Sequence, residues 1–330
     1  MKTKQLVAFV VAAAVFIVTG ISSVVVNTWS ADEMEASFYE SLFAEDMVDT
    51  PDEEYIAVIE VEGAIYGEPT VSMLGETEGY NHPKTMDYVE QLMADNLNKG
   101  ILLYMNTPGG EVTASDDLYL KLMKYKEQTG RKIYCYYGDM SCSGGYYISM
   151  AADEIYANRN SWTGSIGVIM STTNLLGLYE KLGIKEINIT SGANKAMGSA
   201  GEELTAEQRA ILQSLVDEAY EQFVSIIVEG RGLSTAKVKE LADGRIYSAK
   251  QALDLNLIDG ISTKEDYYAK VQEEVGENVT IFERAEDLYD FASLFASLQS
   301  LKQKSDAEVI TEFMEEKRMG GLMYYADILR

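Results

Sequence analysis

Ser143 sits in the run Asp139-Met140-Ser141-Cys142-Ser143-Gly144-Gly145-Tyr146-Tyr147, after an apolar strand-like stretch and before a helix-like one. A serine followed by two glycines in that setting reads as a nucleophile on a sharp turn. Such a serine needs a base to take its proton and backbone N–H groups to hold the oxyanion that forms when it attacks a carbonyl. The base is not an obvious imidazole. The chain has a single histidine, His82, in the loop-like stretch Gly79-Tyr80-Asn81-His82-Pro83, with no orienting acid beside it. Lys195, in Thr190-Ser191-Gly192-Ala193-Asn194-Lys195-Ala196-Met197-Gly198-Ser199, is the better candidate, so Ser–Lys hydrolysis is the chemistry expected. A lysine accepts a proton only when its amine is kept neutral, which burial away from carboxylates favours. No acidic residue lies between Ile187 and Ala200, although taken alone the same lysine also fits an exposed loop. Ser165, in Gly164-Ser165-Ile166-Gly167-Val168, could orient the amine or simply cap its turn.

The Gly144 N–H, next after the serine, is one natural oxyanion donor, and Gly109-Gly110 at the end of the preceding strand can offer a second. Ser-Gly-Gly and Pro-Gly-Gly each occur in ordinary loops; their combination at successive strand ends is the informative feature. Cys142 as nucleophile would lack a base within reach. Cys135 and Cys142 make neither a CxxC pair nor a disulfide framework, and no zinc-ligand spacing is present, so neither a cofactor nor a metal is expected.

These residues need a scaffold of strands that end side by side. Strand-like runs are predicted at residues 55–59, 101–105, 132–137 and 154–157, with 184–189 extended. Helical spacing is predicted over 85–99, where Met86, Val89, Leu92, Met93 and Leu97 share a face, and over 115–127 and 174–182. Thr205 caps a helix that runs to about Gly230, shorter helices follow at 234–242 and 248–255, and residues 266–304 read as amphipathic and acidic. Residues 63–83, with two prolines and several glycines, read as a long loop. Alternating strands and helices imply an α/β fold with a mostly parallel sheet, whose sites gather at the carboxyl ends of strands. No internal repeat is found, so the α/β unit occurs once.

Composition narrows the partners. The 330 residues are 47% hydrophobic and carry 53 acidic against 27 basic side chains, a net charge of −26. That balance excludes the basic stripe that nucleic-acid binding needs. Residues 6–26 are almost wholly apolar and reach one bilayer core, about 30 Å at 1.5 Å per residue. No small-x-small cleavage site follows, so an uncleaved transmembrane anchor is expected rather than a removed signal peptide. Lys2 and Lys4 before it, and Asp32, Glu33 and Glu35 after it, keep the amino terminus cytoplasmic and send the rest outward. The division expected is an anchor over 1–30, an acidic linker over 31–54, a catalytic α/β domain over 55–262 and a helical extension over 263–330. Near its carboxyl end the extension carries Gly320-Gly321-Leu322-Met323-Tyr324-Tyr325-Ala326, an apolar, substrate-like stretch. It is either an ordinary packed terminus or a segment that adds as a strand to the groove and is trimmed there.

Taken together, Asn106-Thr107-Pro108-Gly109-Gly110, the Ser143-Gly144-Gly145-Tyr146-Tyr147 turn, Thr163-Gly164-Ser165-Ile166-Gly167-Val168 and Ser191-Gly192-Ala193-Asn194-Lys195 resemble the signal peptide peptidase A family. These are bacterial, membrane-anchored serine peptidases of the ClpP/crotonase fold, built from repeated ββα units. The resemblance runs from about Tyr55 to Asp259 and fits the short form with one copy of the domain; Cys142 stands where the family commonly has alanine. It implies Ser143 as nucleophile, Lys195 as general base, Ser165 as the hydroxyl orienting the lysine, and Gly110 and Gly144 as oxyanion donors. It also implies a ring, an octamer for a single-copy chain, with serine and lysine supplied by adjacent protomers. The implied substrates are released signal peptides and similar apolar peptides outside the cytoplasm, at the bacterial cell membrane. Two rivals share parts of this pattern: an acyl-CoA enzyme of the crotonase type, and a non-catalytic peptide-binding or scaffolding ring.

Overall fold

The computed structural model describes residues 48–69, 79–284 and 323–325. The expected membrane anchor, most of the linker and residues 285–322 lie outside them. Among the described residues no helix is long and apolar enough to cross a membrane.

The sheet is built on two long strands, β2 (Asn98–Thr107) and β4 (Lys132–Cys142), buried along most of their length. That is the pattern of strands covered on both faces. Parallel pairing joins β1 (Tyr55–Glu62) to β2 and β2 to β4. The far edge of β4 is shared by two short parallel strands. Tyr134–Tyr137 pair with β5 (Glu154–Ala157), and Met140–Cys142 pair with β6 (Trp162–Gly164). From β6 the sheet continues antiparallel to β7 (Ile246–Ser248), and from β5 parallel to β8 (Gly260–Ile261). The result is an eight-stranded, mostly parallel sheet in the order β7-β6-β4-β2-β1-β9, with β5 and β8 branching from β4. A short strand β3 (Gly109–Glu111) follows β2 directly and stands apart from this sheet.

Helices α1 (His82–Ala94) and α2 (Val112–Thr129) pack on each other, and α3 (Gly144–Ser149) opens immediately after β4. After α4 (Leu176–Leu182) comes the longest helix among the described residues, α5 (Ala206–Arg231), which begins in a reciprocal capping box between Thr205 and Gln208. Its last residue, Arg231, forks onto Asp259 at 2.8 and 3.0 Å, and Asp259 also accepts the Ile155 N–H. This ties the end of α5 to β5. The short helices α6 (Thr235–Leu241) and α7 (Ala249–Asp254) flank β7. Helix α8 (Lys264–Val275) buries Tyr267 and Val271 against Ile56, Leu102, Tyr134 and Tyr136 of the sheet.

Three elements differ from the sequence-based expectation. The helix expected over 85–99 starts at His82 and ends at Ala94, and Asn98 and Lys99 already belong to β2. Pro83, read as a loop residue, sits in the first turn, where its missing N–H costs nothing and its fixed φ suits a helix. Asn81 caps that turn by accepting the Lys84 N–H. The long acidic helix expected from residue 266 stops at Val275 before Gly276, and β9 (Thr280–Phe282) joins β1 as an edge strand. Residues 184–189 form no regular strand and are exposed.

Candidate active site

The carboxyl ends of β2, β4 and β6 meet in one place, and Ser143, Ser165 and the two glycine turns sit there. Ser143 links β4 to α3 with φ 52° and ψ −112°, a conformation strained for any residue with a side chain. Its N–H donates to the Gly164 carbonyl at 2.8 Å and its carbonyl accepts from Tyr147 N–H at 2.9 Å, so the turn is fixed from both sides. Ser143 is 1% exposed, and its Oγ has no hydrogen-bond partner among the described residues. A buried hydroxyl left without a partner is costly in a merely structural role.

Because Cys142 pairs with Gly164 across β4 and β6, Ser143 and Ser165 are the next residues on neighbouring strands. Ser165 is also buried at positive φ (50°), held by its N–H to the Arg245 carbonyl at 2.7 Å. Gly109 and Gly110 bring β3 against the same turn. A Cβ on Gly109, itself at φ 99°, would lie 2.7 Å from the Gly144 nitrogen. One on Gly110 would collide with the Ile65 carbonyl oxygen at 1.9 Å. Only glycine admits these backbones so close together.

The chain's own tail occupies this corner. β10 (Met323–Tyr325) lies antiparallel to β3, with Tyr324 opposite Gly110. Met323 spends both backbone groups on Ile169, at 3.0 and 3.1 Å, so Tyr324 turns its own N–H and carbonyl toward Gly110. A Cβ on Gly144 would be 3.3 Å from both the Tyr324 oxygen and the Gly110 nitrogen. The Gly110 and Gly144 amides and a peptide carbonyl therefore share one small space.

Lys195 is not brought into this cluster within the chain. It lies on an exposed segment, in a turn whose backbone bond joins Lys195 N–H to Gly192 O at 3.1 Å, and the chain does not give it the burial that sequence suggested. The alternative partners are also placed. His82 is buried rather than in a loop, with Nδ1 2.7 Å from the Tyr80 hydroxyl and Nε2 facing Asp117 at 4.0 Å, so both nitrogens face groups other than Ser143. Burial pushes the Cys142 thiol up to about 12, too high for a thiolate nucleophile. Both cysteines are free. Among the described residues no group of three or more His, Cys, Asp or Glu could hold a metal ion. A cavity of about 250 Å³ bounded by Lys132, Asp153, Glu154 and Asp259 lies at the amino ends of β4 and β5, the opposite end of β4 from Ser143.

The profile of peptidase family S49 matches residues 125–278 and that of Clp protease residues 54–175. A protein of Enterococcus faecium named "Putative signal peptide peptidase SppA" is 37% identical over 73% of this chain and 72% of its own length. The chain belongs to peptidase family S49. This serine peptidase is also 41% identical, over 64% of its length, to 71% of the "Putative protease slr0021" of Synechocystis. A more distant relative, Protease 4 of Haemophilus influenzae, is 28% identical over 78% of this chain but only 42% of its own longer one. The S49 match covers Ser143, Ser165 and Lys195, and the Clp match covers both glycine turns and the two serines. The mostly parallel sheet with its branching β4 is the ClpP-like arrangement.

Sequence reasoning missed the side chains that receive the tail: Tyr147 one helical turn beyond Ser143, and Ala219 and Phe223 on α5. The four-residue spacing of Ser143 and Tyr147 was visible. The arrival of α5 was not.

Proposed function

We propose that this chain is a membrane-anchored endopeptidase in which Ser143 is the nucleophile and Lys195 of an adjacent protomer is the general base. In this reading Ser143 Oγ gives its proton to the lysine amine as the Oγ–carbonyl bond forms. Gly110 and Gly144 N–H groups take the negative charge of the tetrahedral intermediate. The protonated lysine then returns its proton to the leaving amine, and water hydrolyses the acyl-serine by the same route in reverse. Ser165, next to Ser143 on the neighbouring strand, would accept or donate at the amine and fix its direction. The observation that carries the reading is the buried, strained Ser143 with an unpartnered Oγ beside two amides that already share space with a peptide carbonyl.

A base supplied by the neighbour accounts for why Lys195 is exposed in one protomer. Association into a closed ring, proposed as an octamer, would cover it. The apolar stretch over 6–26 would hold that ring on the outer face of the bacterial cell membrane, where released signal peptides and similar apolar peptides are the proposed substrates. The domain boundaries at 30, 54 and 262 belong to the same proposal.

Complementation tests the shared site. Ser143→Ala and Lys195→Ala should each abolish hydrolysis of a signal-peptide substrate. Random co-assembly of the two should recover roughly a quarter of wild-type turnover, since one interface in four joins an intact serine to an intact lysine. Wild-type rates in either single variant would end the proposal, and mixed rings with no recovery would move the base into the same chain.

A further inference from the structure

One side chain at the carboxyl end of β2 touches both glycine turns. Thr107 is fully buried and pairs with Ser141 across β2 and β4. Its Oγ1 accepts the Gly109 N–H at 3.0 Å, reaching across Pro108, which has no N–H of its own. Serine and threonine close turns in this way onto the second residue ahead. The methyl of the same side chain backs the Ser143 turn, where a Cβ on Gly145 would come within 2.5 Å of Thr107 Cγ2.

The N–H groups of the β2–β3 turn are then accounted for. Glu111 N–H donates to the Ile65 carbonyl at 2.8 Å, and the Gly109 carbonyl accepts the Ile65 N–H at 2.9 Å. Amides alternate in direction along an extended strand, so the Gly110 N–H points away from Ile65. Its nitrogen lies 3.3 Å from where a Cβ on Gly144 would stand. With Gly109 tied to Thr107, Gly110 supplies the N–H of this turn that is left for an incoming oxyanion. Without the hydroxyl, the Gly109 N–H would be a buried donor lacking a partner, and the peptide before Gly110 would gain by rotating to find one.

Resting on the proposed peptidase function, we propose that Thr107 is a positioning residue for the oxyanion, its hydroxyl aiming the Gly110 amide and its methyl fixing the turn that bears the Gly144 amide. It touches no substrate and acts only through the two donors. Its effect therefore belongs to the transition state, where the negative charge appears, and not to peptide binding.

Two substitutions in the full-length protein separate the parts. Thr107→Val keeps the methyl and loses the hydroxyl, and Thr107→Ser does the reverse. With a fluorogenic signal-peptide substrate and rates taken per folded protomer, valine should lower kcat about ten- to a hundredfold with KM within about twofold. Serine should recover all but about a threefold loss, and the pH dependence of kcat should keep its midpoint in all three proteins, because the base is untouched. Ser143-dependent cleavage with equal kcat in valine and wild type, or with equal losses in valine and serine, would overturn the role of the hydroxyl and leave the peptidase reading intact. A raised KM at unchanged kcat would do the same. A second measurement needs no catalysis. In the Ser143→Ala chain, adding Thr107→Val should speed hydrogen exchange of the Gly109 amide by about tenfold or more, whereas adding Thr107→Ser should leave it protected. Unchanged exchange with valine would overturn the proposal on its own. No Ser143-dependent cleavage by the wild type would instead sink the peptidase reading, and the oxyanion role with it.

Discussion

At Ser143 the backbone is held at φ 52° and ψ −112°, where a Cβ is strained by roughly 1–3 kcal/mol, and no side-chain hydrogen bond offsets that cost. The turn persists because Ser143 N–H and C=O are both committed to neighbours, and because Gly144 and Gly145 leave room for α3 to start at once. Ser143→Gly should therefore stabilise the fold by about 1 kcal/mol after the entropic cost of glycine, while abolishing hydrolysis. Ser143→Ala should abolish hydrolysis without that gain, because it keeps the Cβ. Urea denaturation of the three proteins checks this, and a glycine variant no more stable than alanine would mean the turn is unstrained. The residue types were legible in the sequence: Ser143, Ser165 and the two glycine turns do converge. The position of Lys195 relative to them was not, because within one chain that segment packs on little.

The first helix shows how an element can be misread from its composition and then matter to stability. Asn81 and Pro83 look like loop residues, yet they are the cap and first turn of α1, and they draw His82 into the interior beside Tyr80. Conversely, the acidic periodicity beyond residue 266 hid β9, because three residues at a sheet edge carry too short a pattern to outweigh the helical spacing around them. What decides such cases is tertiary pairing, here with β1, which local propensity does not contain. Burial holds the His82 imidazole below its ordinary range, against the upward pull of the Asp117 and Glu111 carboxylates. The folded chain thus binds this proton more weakly than the unfolded chain. Its contribution is present above the unfolded value of about 6.5 and is lost as pH falls through the lower folded value. Carboxylates whose values are lowered by their partners, such as Glu274 beside Lys132, act further down, below about pH 4.5. The urea midpoint should therefore begin to fall as the pH drops through about 6.5 and continue falling below it, and His82→Gln should flatten that part of the profile. Identical slopes in the two proteins would show that His82 is not the titrating group.

For the whole molecule, the unbalanced surface is the segment that carries Lys195. Helix α4 buries none of its residues, its last residue Leu182 is exposed, and so are Ile184 just beyond it and Ile187 and Ile189 at 80% and 98%. A run of large aliphatic side chains in water is unusual on a finished surface and marks a contact site. The proposed ring supplies the occupant, a second copy of this chain, and with Lys195 six residues beyond Ile189 the proposal would make association and activity the same event. A net charge of −26 opposes random contact between copies, so the apolar segment must supply most of the attraction. The double substitution Ile187→Glu and Ile189→Glu should therefore yield monomers by sedimentation velocity and reduce peptide hydrolysis at least tenfold. The protomer itself should be barely affected, within about 0.5 kcal/mol, because substitutions at exposed sites without special contacts rarely cost more. Added salt should strengthen assembly of the wild type by screening the acidic surface, and it should not rescue the double variant. A doubly substituted protein that still sediments as a ring and still cleaves would separate the lysine segment from the interface, and with it the explanation for an exposed base.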